Sequence, residues 1–276
     1  MVIDEDVKWE DIDASDYDDP QAVSDYVNEI YEHLMIKEKK DKITPNYLEK
    51  QTDINEKMRS ILVDWLVEVH RMFKLIPETL FLSVNIIDRY LSLKNVPRDK
   101  LQLVGITSML IASKYEEIYA PESNDFVYIS DGAFTKDQIL AMEQQILNTL
   151  NFNLLHPSPL HFLRRYSKAA GSDYTIHTLC KYLIELMLLD VGFLKFNASE
   201  IAAGAVFLAR AMTQKSAFWS GTLEHYSTYS AAHVQPIAHE MNEFLKKSQK
   251  SSLKALKKKY ASSKFGEVSE LPVVDL

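Results

Sequence analysis

Residues Met58 to Val69, Met-Arg-Ser-Ile-Leu-Val-Asp-Trp-Leu-Val-Glu-Val, combine an over-wide apolar face with a carboxylate at its border, a pattern suited to capturing peptides. Counted from Met58 at about 100° per residue, Ile61, Met72, Trp65, Val69, Leu62, Phe73, Leu66 and Val63 span roughly 200° of a helix. About 100° is enough to seat a surface helix on its core. The excess predicts either an engulfed helix or an exposed flank, the latter running through Met58, Leu62 and Trp65 at i, i+4, i+7 spacing and ending at Glu68. A greasy shelf that stops at a carboxylate suits a peptide carrying one apolar and one basic residue.

A second constellation is cationic. His177 and Lys181 are i, i+4 neighbours, and Arg164 precedes His177 by 13 residues, so a short helical hairpin can gather all three. With no obvious carboxylate partner, they are expected to form an anion pocket for phosphoserine or phosphothreonine, which arginine can bond bidentately. The alternative is three solvated basic side chains. Catalytic signatures are missing. Asp64, Glu68, Asp88, Glu116 and Glu117 do not make a di-iron bundle, because none of the 8 histidines has a glutamate three residues before it. The chain also lacks His-Glu-x-x-His, a Gly-x-x-x-x-Gly-Lys phosphate loop, and the Asp-Phe-Gly and His-Arg-Asp of kinases. Neither metal nor cofactor is expected. Cys180 reads as an inert core residue, and His70 and His239 as structural groups.

The elements that position these residues are helical. The 276 residues contain only 7 Gly and 9 Pro, and Pro77, Pro97, Pro121 and Pro157 fall between long periodic segments. Thr135-Lys-Asp-Gln138 is a capping box, Ser158-Pro159 opens another helix, and Gly171 marks a stop. A shift of 97 residues lays Trp65 on Phe162, Leu82 on Leu179, Asp88 on Glu185, Ala112 on Ala209 and Glu143 on Glu240. That period is too long for a solenoid unit. It predicts an all-α chain of two tandem five-helix domains, 54–152 and 155–250. An acidic lead-in with an extra amphipathic helix (1–53) precedes them and a basic extension (251–276) follows. The extra helix presents Val23, Tyr26, Val27, Ile30, Tyr31 and Leu34 on one face, for its own domain or for a partner.

Charge bounds the partners. The formal net charge of -8 argues against general nucleic-acid binding. The longest apolar run, Ile201 to Ala209, is too short for a membrane span, and a single cysteine with an acidic start reads as intracellular. The lysines from Lys246 to Lys264 read mainly as solvated faces or tails.

Met58-Arg-Ser-Ile-Leu-Val-Asp-Trp-Leu-Val-Glu68, Asp88-Arg-Tyr-Leu, Leu101-Gln-Leu-Val-Gly and Lys114-Tyr-Glu-Glu-Ile together resemble the first box of a cyclin. His161-Phe-Leu-Arg-Arg165, His177-Thr-Leu-Cys-Lys-Tyr-Leu183 and Ile201-Ala-Ala-Gly-Ala205 resemble B-type (mitotic) cyclins more than A-type ones, and the resemblance covers residues 19 to 264. It implies two cyclin boxes in a non-catalytic activator of a cyclin-dependent serine/threonine kinase, acting at the G2/M transition in nucleus and cytoplasm. Lys114 and Glu143 would hold the loop preceding the kinase's helix C, with Tyr26 and Ile30 touching its other side. Arg59 and Asp88 would form a structural ion pair. Met58, Ile61, Leu62, Trp65, Glu68, Leu101 and Gln102, with Arg98, Ile129 and Asp131 at the margin, would form a groove for Arg-x-Leu substrates or inhibitors.

Met1 to Lys57 contains no arginine and so no Arg-x-x-Leu destruction box, a signal B-type cyclins usually carry upstream. Either the chain is a truncated form or its turnover uses another signal. The rival reading on the same fold is a transcription-factor-like module binding promoter DNA, which would want basic faces on the boxes.

Overall fold

The computed structural model describes residues 9–40, 42–213 and 218–276. After α1 (Val27–Lys40) come two bundles of five helices. The first is α2 (Glu56–Met72), α3 (Pro77–Leu93), α4 (Leu101–Glu116), α5 (Ser123–Ile129) and α6 (Lys136–Thr149). The second is α7 (Pro159–Ala169), α8 (Tyr174–Met187), α9 (Ala198–Met212), α10 (Gly221–Ser227) and α11 (Ala231–Ser248), with α12 (Ala255–Tyr260) after it. The 97-residue shift carries the start of α3 onto that of α8 (Pro77, Tyr174) and of α4 onto that of α9 (Leu101, Ala198).

Local chemistry sets the helix starts. Asn55 accepts from the Met58 amide, Thr135 and Gln138 close a reciprocal box, and Asp173 accepts from the Ile176 amide. Proline opens α3 and α7. The capping box of α7 uses a histidine: His161 Nδ1 accepts from the Ser158 amide at 3.1 Å.

Helices α4 and α9 run through the middles of the bundles, buried on almost every side. Small residues let neighbours close in. A Cβ on Gly105 would stand 2.7 Å from Leu62 Cδ1, and one on Gly204 would stand 2.8 Å from Met241 Sδ.

Each bundle is organised around a buried carboxylate. In the first, Asp88 of α3 takes two hydrogen bonds of 2.6 Å from Arg59 of α2 and one of 2.7 Å from Tyr47. Arg59 Nη1 continues to the Leu188 carbonyl at 2.8 Å, tying the two bundles together. In the second, Glu185, the residue that the shift lays on Asp88, takes 2.6 Å from Lys259 and 2.7 Å from Tyr260.

One segment differs from its sequence reading. The C-terminal lysines were expected to be solvated, yet Lys259 is buried because α12 docks against α2 and α8 and delivers it to Glu185. The Ala255 amide also bonds Asp64 of α2, at 3.1 Å. The acidic lead-in folds onto the second bundle. Trp9 stacks on His225 with centroids 3.9 Å apart, and Asp13 takes two 2.6 Å bonds from buried Arg165. Burial opposes the Asp13 charge, but Arg165 and Lys168 outweigh it and hold the carboxyl below its usual range. On α1, Tyr31 donates to the His161 carbonyl and Glu38 accepts from Ser199, so the helix lies on the second bundle.

Burial, chiefly, pushes the pKa values of His70, His161 and His177 below the usual histidine range. The unfolded chain therefore binds more protons than the folded one just below pH 7, and these groups make stability fall on acidification. Stability is therefore expected to fall between pH 7 and 6. Melting curves at the two pH values check this. A His161→Gln variant is expected to show a smaller drop, and an unchanged drop would remove His161 from the account.

Candidate protein-interaction sites

The last turn of α4 and the middle of α6 bring Lys114 and Glu143 together. Lys114 Nζ lies 2.8 and 2.9 Å from the two carboxylate oxygens. The lysine is half exposed, so the pair is a surface feature. Around it the chain leaves apolar side chains in water: Tyr115 and Leu140 are exposed, and Ile118 and Tyr119 are 91% and 92% exposed. Bulky side chains this bare, grouped around a charged pair, are the signature of a surface another protein covers. Sequence reading missed Tyr115, Ile118 and Tyr119. The available signal was their position directly after Lys114, where α4 stops at Glu116 and its buried face runs out. The second bundle has no equivalent pair: the shift puts buried Ala211 at the lysine position, and Glu240 pairs with Lys195 at 2.7 Å. Val23 and Tyr26 precede α1 and are exposed, as is Ile30 on it, while Tyr31, Leu34 and Met35 pack against the core, so the face read as one continuous helical stripe is divided.

The α2 shelf is only partly exposed. Ile61 and Met72 are exposed, Met58 and Trp65 are half-buried, and Leu62 is 6% exposed. The expectation of an exposed flank through Leu62 is therefore corrected. Gly105 lets α4 approach so closely that Leu62 becomes floor, and Leu101, 5% exposed, is buried likewise. Gln102 and Ile129 are half-buried at the edge, and Asp131 is exposed just beyond α5. Glu68 is half-buried and paired with Arg71 at 2.9 Å, and Arg98 is held by Asp53 at 2.6 Å.

The cationic constellation is also rearranged. Arg164 has a carboxylate partner after all, Glu78, because the first turn of α3 faces α7. His177 Nδ1 lies 2.8 Å from the Ser167 hydroxyl. Both residues line a surface cavity whose third basic residue is Lys168 rather than Lys181. Lys181 still acts on His177: after burial, its charge and that of Arg164 depress the imidazole pKa. Lys168 is the residue that sequence reading missed, although it stands four residues after Arg164 on the same helix.

Among the described residues no cluster of His, Cys, Asp or Glu is arranged to hold a metal ion, and no helix is long and apolar enough to cross a membrane.

Residues 29–155 match the family model of the cyclin N-terminal domain, and residues 157–274 that of the cyclin C-terminal domain. The chain is 51% identical over 276 residues to a G2/mitotic-specific cyclin-B of Dictyostelium discoideum, covering all of this chain and 63% of that protein. It is 50% identical over 262 residues to the cyclin-B of Marthasterias glacialis, covering 95% of this chain and 67% of that one. It thus spans about two thirds of the length of these relatives. The crystal structure of a viral cyclin from herpesvirus saimiri superposes with a TM-score of 0.66 at 22% identity, over 79% of this chain and 97% of that one.

Proposed function

Given that this chain belongs to the cyclin family and is similar to B-type members along its length, we propose that it is the regulatory subunit of a cyclin-dependent serine/threonine kinase at the G2/M transition and in mitosis. The observation that carries this reading is the Lys114–Glu143 pair set among exposed Tyr115, Ile118 and Tyr119. A paired ammonium and carboxylate offer donors and acceptors to a backbone loop, and the apolar ring supplies area to bury. By the family resemblance, docking there turns the kinase's helix C so that its glutamate pairs with the strand lysine and moves the activation segment, as phosphoryl transfer requires. The chain supplies no catalytic group of its own. It works in nucleus and cytoplasm.

The test adds the purified chain to a cyclin-dependent kinase catalytic subunit and measures phosphorylation of a peptide substrate. Stimulation together with 1:1 association is expected. Retardation of duplex DNA without kinase stimulation would instead support the transcription-factor-like reading, which the net charge of -8 disfavours.

The α2 shelf is proposed as the docking site for Arg-x-Leu substrates and inhibitors, with Glu68 meeting the arginine and Met58, Ile61 and Trp65 the leucine. Met58→Ala/Trp65→Ala is expected to lower kcat/KM about tenfold for a substrate carrying the motif and to leave one without it unchanged, as for removal of a hot-spot contact. Leu62→Ala is a different experiment: truncating this floor residue is expected to cost about 2–5 kcal/mol of stability. Equal loss on both substrates in the Met58/Trp65 variant would mean that the stripe serves only the fold. The cavity of Arg164 and His177, with Lys181 behind it, is proposed to bind phosphorylated protein partners.

A further inference from the structure

Resting on the reading of that cavity as a phosphate site, we propose that Asp16 of the lead-in occupies Lys168 as an internal stand-in for phosphate. A phosphorylated ligand must then displace the lead-in to gain the Lys168 ammonium.

Lys168 closes the last turn of α7, one turn beyond Arg164, so both cations face the same side of the helix. Its ammonium is shared between Asp13, at 3.0 Å, and Asp16. The two carboxylates are not equivalent. Asp13 is buried and bound bidentately by Arg165, so it keeps a full set of partners if Lys168 leaves. Asp16 is partly exposed, and its other hydrogen bond comes from the neighbouring Ser15 hydroxyl. Asp16 is therefore the replaceable half of the clasp.

What waits on the other side of Lys168 is suited to an anion. The cavity wall contains Arg164, one Nη of which already bonds Glu78, together with His177 and Ser172, whose hydroxyl oxygen is buried with no hydrogen-bond partner. A buried unsatisfied hydroxyl is costly, and a phosphate oxygen would relieve it. Asp173, also in the wall, is a like charge, but its carboxylate is directed to the amide of Ile176 as the α8 cap. A phosphomonoester carries up to two charges and three acceptor oxygens against the single charge of Asp16, so it can win Lys168 in a direct exchange.

The exchange has a reciprocal consequence. If lead-in and phosphate compete for one ammonium, phosphate binding must loosen the lead-in by the factor with which the lead-in weakens phosphate binding. The lead-in reports its own docking through the amides of Glu10 and Ile12, which bond Thr222 and Tyr226 of the second bundle, each at 3.2 Å.

The experiment uses a peptide with one phosphoserine and its unphosphorylated twin, titrated by fluorescence anisotropy into the full chain and its Asp16→Asn and Lys168→Ala variants. Amide exchange is followed over residues 9–16. Asp16→Asn is expected to tighten binding of the phosphopeptide about threefold to fivefold, the scale of one exposed ion pair, and to leave the twin unchanged. Lys168→Ala is expected to weaken the phosphopeptide and to abolish the response to Asp16→Asn in the double variant. Saturating phosphopeptide is expected to speed exchange at Glu10 and Ile12. If the wild type prefers the phosphopeptide but Asp16→Asn leaves its affinity and the lead-in exchange unchanged, the clasp is overturned and the pocket stands. If no variant distinguishes the twins, the pocket itself is overturned and the clasp with it.

Discussion

Arg59→Ala is expected to destabilise the chain by about 3–5 kcal/mol, the cost of leaving one member of a buried ion pair without its partner. Arg59 and Asp88 are each 1% exposed, so water cannot replace the lost guanidinium. Three bonds go at once: two to Asp88, and the one to Leu188 that ties the first bundle to the second. The loss is a large fraction of the about 5–15 kcal/mol by which domains are stable. Urea denaturation followed by circular dichroism checks it. Glu185→Ala is expected to cost a similar amount, since it strands Lys259 and Tyr260, and also to free α12, which limited proteolysis beyond Lys250 would register. A loss under about 1 kcal/mol in either variant would mean that the stranded charge reaches solvent, contrary to its burial.

Lys114→Ala and Glu143→Ala are expected to do the reverse, sparing the fold and removing the proposed activity. The pair lies at the surface, with Lys114 half exposed and Glu143 more covered, and surface pairs contribute only about 0–1 kcal/mol to stability. At an interface, truncating one member of a charge pair that becomes buried costs about 2 kcal/mol or more, roughly 30-fold in affinity. The cyclin concentration giving half-maximal kinase stimulation should rise by that factor for each single variant, with unchanged melting temperature. Glu240→Ala, at the equivalent place in the second bundle, is expected to leave stimulation unaltered. A Lys114→Ala/Glu143→Ala double variant that stimulates at wild-type concentrations would disprove the assignment.

Much of this was legible from local pattern. Helical periodicity, proline placement and the caps at Thr135 and Ser158 required an all-helical chain, because each acts within a turn or two of its own position. The 97-residue shift revealed two related bundles, and by laying Asp88 on Glu185 it already aligned the two carboxylates that anchor them. The motif around Met58 and the Lys114 segment placed the chain in its family.

What the tertiary structure alone decided is which surface covers which side chain. Periodicity identifies the apolar face of α2 but not that Gly105 lets α4 bury Leu62, leaving Ile61 and Met72 exposed instead. Charge counting left Arg164 and the C-terminal lysines without partners. Their carboxylates come from other elements, Glu78 lying 86 residues before Arg164, and Glu185 lying 74 before Lys259. The lead-in clasp joins Asp13 to Arg165 across 152 residues. Spacing along a helix fixes direction around its axis, whereas an ion pair depends on where two separate helices pack, and that is settled by the fit of their buried faces.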